Sequence, residues 1–364
     1  MKIGMMSLWN AANGPSIHAE FIGREWIKRG HSLVLFSARK HPDFRPTQQE
    51  DEDFVFRHFD VNEIFPTTKA DSFNHTPLLE EDYEVFVAQN VERLPTKELL
   101  DVFPKIREKA ITVLVVHEGF PPKDPLFYKF NWDAIVCFDQ RYRDFLVRFF
   151  PKEIIHIIPY PCHPLKPGDK KEARRKLGLP LDDKIVFSFG FSLEEIKEVL
   201  PALGVLKKEH LFKYLIIANP ESKLEHRELR KWQEKYDFMD VGIKALSLDA
   251  LYDYLHACDV LLIPKESSKH RAVISSTVCQ TLGSGCPILF HDSNYVELHG
   301  NEIVKYRGLD DMKLKLADLF DGKFDIEKTK SYLRENNASR VADRFIQLFE
   351  KVREERRSGS KRIW

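Results

Sequence analysis

The chain has 364 residues, 43% of them hydrophobic and 31% charged. That length exceeds one ordinary core and suits two domains of roughly 150–200 residues. Its 56 basic and 56 acidic residues cancel, which argues against a general nucleic-acid binder and against a protein held to a membrane mainly by charge. One of the most apolar stretches, Ile111–Val116, already contains Thr112, and nothing approaches the roughly 20 residues that span a bilayer. Met1-Lys2-Ile3-Gly4-Met5-Met6 has no signal-type apolar region or small-residue cleavage site, so a cytoplasmic location is expected. Plentiful Lys, Arg and Glu with sparse Gln lean towards a thermophilic source. Cys137, Cys162, Cys258, Cys279 and Cys286 are odd in number and lack a C-x-x-C pair. They read as buried thiols rather than a disulfide framework or a zinc site.

Lys2–Ser7 predicts a strand, closed by the small and polar residues through Asn13-Gly14-Pro15-Ser16. From Ser16, the expected N-cap, Ile17, Phe21, Ile22, Trp26 and Ile27 recur at helix spacing, and Gly30 stops the helix. Glu20 and Glu25 fall on its solvated face. Ser32–Ser37 is a second strand whose unbroken Leu33–Phe36 run predicts burial on both faces, as in a parallel sheet. Phe54–Phe59 and Glu84–Ala88 continue the strands, and Thr96–Lys109 reads as a helix interrupted or kinked at Pro104. Ile111–Val116, Ala134–Cys137 and Ile154–Ile158 are further strands, with a helix over Arg141–Phe150. The four prolines of Pro159–Gly168 mark a linker.

A second series follows. Ile185–Phe189, Tyr214–Ala218, Asp259–Ile263, Pro287–Phe290 and Ile303–Tyr306 predict strands. Leu193–Leu206, Glu225–Lys235, Asp249–Cys258 and Ala272–Gly283 predict helices, and further helices close the chain, the last over about Ala338–Arg356. The expected fold class is α/β, with two Rossmann-like doubly wound domains facing a cleft. The expected division is 1–160, a linker at 161–170, a second domain at 171–337, and a C-terminal helix with a basic tail at 338–364 that could pack back on the first domain.

Asn13-Gly14-Pro15-Ser16 fits neither the dinucleotide fingerprint nor the P-loop. A glycine loop before a helix can still seat a phosphate or an acceptor anion on free N–H groups, or serve only as a turn. The stretch from Gly14 through Ser16, His18 and Glu20, followed by Arg29-Gly30-His31, resembles the opening of retaining glycosyltransferases of GT-B architecture, those of family 4 most closely. Leu248–Pro264, with its Ala-Cys-Asp259-Val ending, resembles the family's "A-D-V-hydrophobic-P" segment, and Gly283-Ser-Gly285-Cys-Pro287 its "A-x-G-x-P-V". Val116-His117-Glu118 stands where the family has a histidine at a strand end.

The resemblance implies transfer of a sugar from a UDP- or GDP-sugar, with retention and without metal or cofactor. Helix N-termini and cations would stabilise the departing diphosphate. The implied partners are this nucleotide-sugar donor and a small-molecule, glycan or lipid-linked acceptor. His117 would touch the transferred sugar, with Glu118 beside it as an acceptor contact or local base. Asn13, Gly14, Ser16 and His18 would face the acceptor. Gly190, Lys197, Glu266, His270, Arg271, Ser275, Ser276, Thr277 and Gln280 would serve the donor. Phe191 stands where the family has an arginine, and Gln280 and Ala272 where it has its E-x7-E glutamates. These departures motivate the alternative of a degenerate, non-catalytic nucleotide- or partner-binding protein. An epimerase or phosphorylase of the same fold is the lesser alternative. The basic and aromatic residues of Arg141–Lys152 fit membrane contact less well than core packing.

Overall fold

The computed structural model describes residues 1–39, 50–60, 73–190, 192–218, 220 and 223–360. The chain divides into two units, one made of Met1–Pro161, His270–Ser276 and the chain from Asn336 onward, the other of Cys162–Lys269 and Thr277–Glu335. The segment His270–Ser276, which the sequence reading left inside the second domain, thus packs with the first unit.

In the first unit, β1 (Lys2–Ser7), β2 (Ser32–Ala38), β3 (Val55–Phe59), β4 (Val85–Gln89), β5 (Ile111–Val115), β6 (Ala134–Cys137) and β7 (Ile155–Ile157) form one sheet in the order β3-β2-β1-β4-β5-β6-β7. All the pairings are parallel. Every residue of β4 and β5 is buried, which is why these strands read as continuous apolar runs instead of alternating ones. The helices are α1 (Gly14–Lys28), the short α2 (Thr76–Glu80), α3 (Thr96–Lys109) and α4 (Gln140–Leu146).

Two details of α1 differ from expectation. Its N-cap is Asn13, whose side chain accepts from the Ser16 N–H, so the helix begins three residues earlier. Glu25 is buried and Glu20 half-buried, because Glu20 accepts from Ser16 Oγ and the Asn10 N–H, and Glu25 from Lys28 and Arg29. In α3, Pro104 does not end the helix. It lies on the exposed face, and the N–H it lacks is the one that would bond the Leu100 carbonyl. α4 ends at Leu146, short of the expected Phe150; Tyr142, Phe145 and Phe150 are buried, whereas Phe149 is 48% exposed.

The second unit repeats the plan. It contains α5 (Lys170–Leu177), β8 (Lys184–Phe189), α6 (Leu193–Leu206), β9 (Phe212–Ala218), α7 (Lys223–Lys235), β10 (Met239–Ile243), α8 (Leu248–Ala257), β11 (Val260–Ile263), α9 (Ser276–Thr281), β12 (Ile288–His291), β13 (Val304–Tyr306), α10 (Gly308–Phe320) and α11 (Ile326–Asn336). The sheet order is β10-β9-β8-β11-β12-β13, again with parallel pairings. Its core joins Val186, Tyr214, Ile216 and Leu262 of the sheet to Ile196, Leu200 and Leu203 of α6 and Met312 and Leu316 of α10.

Two of these elements have no clear signal in the sequence. β10 is an edge strand broken by Asp240 and Gly242. α5 has only two apolar residues, Ala173 and Leu177, and is held by a polar hub instead. Arg174, 3% exposed, donates to the carbonyls of Ala257 and Leu181 and to Asp259 Oδ2 at 2.6–2.9 Å. Asp259 also accepts from the Ile185 N–H and from Lys170. The helix expected over 272–283 is also shorter: α9 spans Ser276–Thr281, with a 3-10 turn at Leu282–Ser284.

The last helix, α12 (Ala338–Ser360), packs on α1 within the first unit. Trp26 Nε1 donates to the Ala342 carbonyl at 3.3 Å, and its ring meets those of Phe345 and Phe349 edge-on. Arg29 donates to Asp343 Oδ1 (2.7 Å), Glu25 Oε2 (2.8 Å) and Ser339 Oγ (2.6 Å). The basic tail at Lys361 and Arg362 lies outside the described residues. Among those described, no helix is long and apolar enough to cross a membrane.

Removing the Arg29 side chain leaves two carboxylates without their shared guanidinium. Arg29→Ala is expected to lower stability by about 2–3 kcal/mol, read as the urea midpoint by tryptophan fluorescence. Arg29→Lys should recover little, because an ammonium cannot reproduce the fork. An unchanged midpoint in both variants would show that this clasp contributes nothing.

Candidate functional site

In an open parallel sheet, ligands gather beyond the carboxyl ends of the strands where strand order reverses. In the first unit that point lies between β1 and β4, and in the second between β8 and β11. The loop leaving β1 leads into Asn13, Gly14 and α1, while β4 ends at Gln89, followed by Asn90 in the left-handed region (φ 55°). His117 follows β5, the next strand outward.

His117 is half-buried and firmly oriented. Its Nε2 donates to Gln89 Oε1 at 2.8 Å, which leaves Nδ1 as the ring's lone-pair acceptor. Its ring meets Phe138 edge-on at 5.0 Å and His18 at 5.1 Å. Burial holds His117 well below the ordinary imidazole range, and the neighbouring His18 and Arg93 add to the effect. His18 is 0% exposed and enclosed by His117, Phe138, Tyr160 and Phe345. Burial takes it down to about 3. Expected as an acceptor contact, His18 is instead a wall against which His117 stands.

The glycine loop is largely occupied by its own fold. Asn13 caps α1, the Ser16 hydroxyl is buried between Glu20 and the Ala11 N–H, and Pro15 has no N–H. This helix start therefore offers little to a phosphate. Gly14 is partly accessible, and its carbonyl accepts from Tyr160 Oη at 2.6 Å.

Glu118 is half-buried, with Oε1 3.4 Å from Arg93 Nε. Near it is Glu92, which the sequence reading missed. Neither Glu92 carboxylate oxygen reaches a side-chain donor, and burial, helped by the charge of Glu118, pushes its carboxyl up to about 8. Val91-Glu92-Arg93 is a short turn with no local pattern to single it out.

Gly119 is a second omission. A Cβ there would lie 1.3 Å from the Ala272 carbonyl oxygen, so glycine is required for the segment 270–276 to lie against this loop. The same segment is held by Arg141 Nη2, which donates to the Val273 carbonyl at 2.9 Å, and by His270, which stacks on Phe120 at 4.2 Å. Ser275 is buried, Ser276 lies beside Gly14, and Arg271 is exposed. Four residues expected to serve the donor, His270, Arg271, Ser275 and Ser276, thus share a unit with His117 and Glu118.

The remaining donor candidates belong to the second unit. Gly190 ends β8 with φ +62°, at the point where strand order reverses; Phe191 lies outside the described residues. Lys197 is exposed on α6, within electrostatic reach of Glu228 on α7. Glu266 is exposed in the loop after β11, which Asn294 pins through Ser268 at 2.9 Å. Thr277 and Gln280 are half-buried on α9, and their carbonyls accept from Thr281 and Tyr252.

No protein-family model matches the sequence. Solved structures do match over nearly the whole chain. Sucrose-phosphate synthase from Thermosynechococcus elongatus is similar with a TM-score of 0.69 at 13% identity, covering 98% of this chain and 100% of its own. Anabaena HepE, solved in complex with UDP, is similar with a TM-score of 0.67 at 12% identity, covering 96% and 100%. The pneumococcal O-GlcNAc transferase GtfA, solved with UDP and GlcNAc, is similar with a TM-score of 0.61 at 11% identity, covering 97% and 99%. The fold of this chain, two Rossmann-like parallel sheets of matching strand order, is that of GT-B glycosyltransferases.

Proposed function

We propose that this protein is a retaining glycosyltransferase of the family 4 type that uses a UDP-sugar and needs no metal. The observation that carries the reading is His117, a neutral and oriented imidazole at the carboxyl end of a parallel sheet. The likeness in fold to HepE and GtfA, both solved with UDP, supports uridine as the base. In this reading His117 Nδ1 accepts a hydroxyl of the transferred sugar and positions the anomeric carbon. Glu118, half-buried beside His117, binds a hydroxyl of the acceptor or acts as a local base. With no nucleophile assigned, the departing phosphate takes the acceptor's proton as the new bond forms on the same face. Gln280 and Ala272, standing where the family has its two glutamates, favour the second reading, a nucleotide- or partner-binding protein without turnover.

Thermal unfolding with UDP, GDP, ADP, TDP and CMP separates the proposed donor from its rivals and from failure of the reading. UDP at about a hundred times its dissociation constant stabilises the native state by about 2.7 kcal/mol, and UDP alone is expected to raise the midpoint. A shift with none of them at millimolar concentration would remove the donor site from the reading. A UDP shift with no transfer to any acceptor would favour the non-catalytic protein.

His117→Ala is expected to keep the UDP shift and to lower transfer by about a hundredfold. Equal loss of both would mean that His117 only supports the fold.

The imidazole pair also sets a pH response. His18 is at about 3 in the folded chain against an ordinary 6.5, so below pH 6.5 the unfolded chain binds the extra proton. This stability is present above pH 6.5 and is lost as pH falls, by about 2 kcal/mol at pH 5. Urea midpoints from pH 8 to 5 should show the fall, and His18→Phe should flatten it. A wild-type slope unchanged by that substitution would assign the response elsewhere.

A further inference from the structure

All five cysteines are free and buried, but they do not stand in equivalent surroundings. Cys137 is alone in the first unit. Cys258 and Cys286 lie near each other with Asp259, Arg174 and Lys170 around them, and burial pushes both thiols up. Cys162 and Cys279 differ: each thiol is the first influence on the other. One residue away, the His163 N–H donates to the Cys279 carbonyl at 2.9 Å and ties the two backbones together.

A base adjoins this pair. Cys279 is also under the influence of the His299 ring, whose Nδ1 lies 2.9 Å from Glu302 Oε1. The Gly300 N–H reaches both oxygens of that carboxylate at 2.9 Å. Cys162, Cys279, His299 and Glu302 are between 0% and 7% exposed. Cys162, then His299, hold the Cys279 thiol below the ordinary range against burial, while Cys162 is pushed up. Against its own burial, Cys279 and Glu302 raise His299 to about 9. Two thiols, an imidazole and a carboxylate gathered in one dry pocket are costly to bury unless they act on one another, and inert packing thiols need no such company.

We propose that Cys162 and Cys279 form a redox-active dithiol that hydrogen peroxide converts to a disulfide and a thiol reductant restores. The Cys279 thiolate attacks one peroxide oxygen. The O–O bond breaks, the sulfur becomes a sulfenic acid, and the departing hydroxide takes the His299 proton to leave as water. The Cys162 sulfur then attacks Cys279 Sγ, the S–O bond breaks, and the hydroxyl leaves with the Cys162 proton as a second water. Two sulfurs are oxidised by one unit each, and two peroxide oxygens are reduced by one unit each. Backbones already joined at His163 and Cys279 need little movement to reach the Cα separation of about 4.4–6.8 Å that a disulfide requires. Cys279 precedes Gln280 on α9, so the bond would tether that helix to the chain at Cys162. An effect of the tether on nucleotide affinity rests on the proposed function; the disulfide itself does not.

Native protein treated with peroxide is expected to lose two of its five thiols, to yield a linked Cys162–Cys279 peptide on non-reducing digestion, and to recover both with dithiothreitol. His299→Gln should slow formation about tenfold, and Cys162→Ser should trap a sulfenic acid on Cys279, detectable with dimedone. If Cys162→Ser does not fold, peptide mapping of the wild type still decides. A linked Cys258–Cys286 peptide forming first would overturn the proposal. So would thiols that resist peroxide until urea unfolds the chain. A lost UDP shift in protein that never gained the disulfide would count against the proposed function alone.

Discussion

A parallel strand cannot meet its neighbour through a tight turn; it needs a crossover long enough to hold a helix, and that crossover is right-handed. Everything else in this chain is arranged around that constraint. With helices on both faces, the strands lose their polar side, which is why β4 and β5 are buried at every position. Successive crossovers carry the chain outward from β1 to β3, then back across β1 to β4 and away to β7. Loops on the two sides of the reversal diverge, and His117, Gln89 and the start of α1 stand at that opening. The second sheet repeats the reversal at β8 and β11, where Gly190 adopts its left-handed turn.

The helices that close these sheets are not all held by apolar stripes. α5 is anchored by Arg174, which satisfies two carbonyls and Asp259 at once. α12 is held by aromatic contacts around Trp26 and by the fork of Arg29. In the second sheet, the buried Tyr214 hydroxyl donates to Ser188 Oγ, which donates in turn to the Leu262 carbonyl. These two hydroxyls pass the bond on to a strand carbonyl, so neither is left as an unpaired donor.

The same side chain takes opposite protonation states in the two units. His117 and His18 are walled by rings and by each other, so burial removes their charge. His299 is as buried, yet a carboxylate and a thiol face it and keep it protonated. Desolvation is common to both cases, and the charge of the partner decides the outcome. A neutral imidazole suits a role in positioning sugar hydroxyls, whereas an imidazolium beside a thiol suits sulfur chemistry.

Much of the architecture is written locally. Strands such as Ala134–Cys137 and helices such as Thr96–Lys109 and Leu193–Leu206 are readable to the residue, because burial on both faces or along one stripe leaves a periodic apolar signature. His117 is readable too, as a polar residue ending an apolar strand. The rest depended on contacts between residues distant in sequence. α5 shows no stripe because its anchor, Asp259, lies 85 residues away. Gly119 has meaning only once Ala272 lies against it, and Glu92 only once the chain leaves it without a donor. Ser16 and His18, expected to face an acceptor, are covered by the surrounding elements. Short-range periodicity determined which residues form strands and helices; long-range packing alone decided which polar side chains remain accessible and which carry charge, because solvation is a property of the assembled surroundings and not of the local chain.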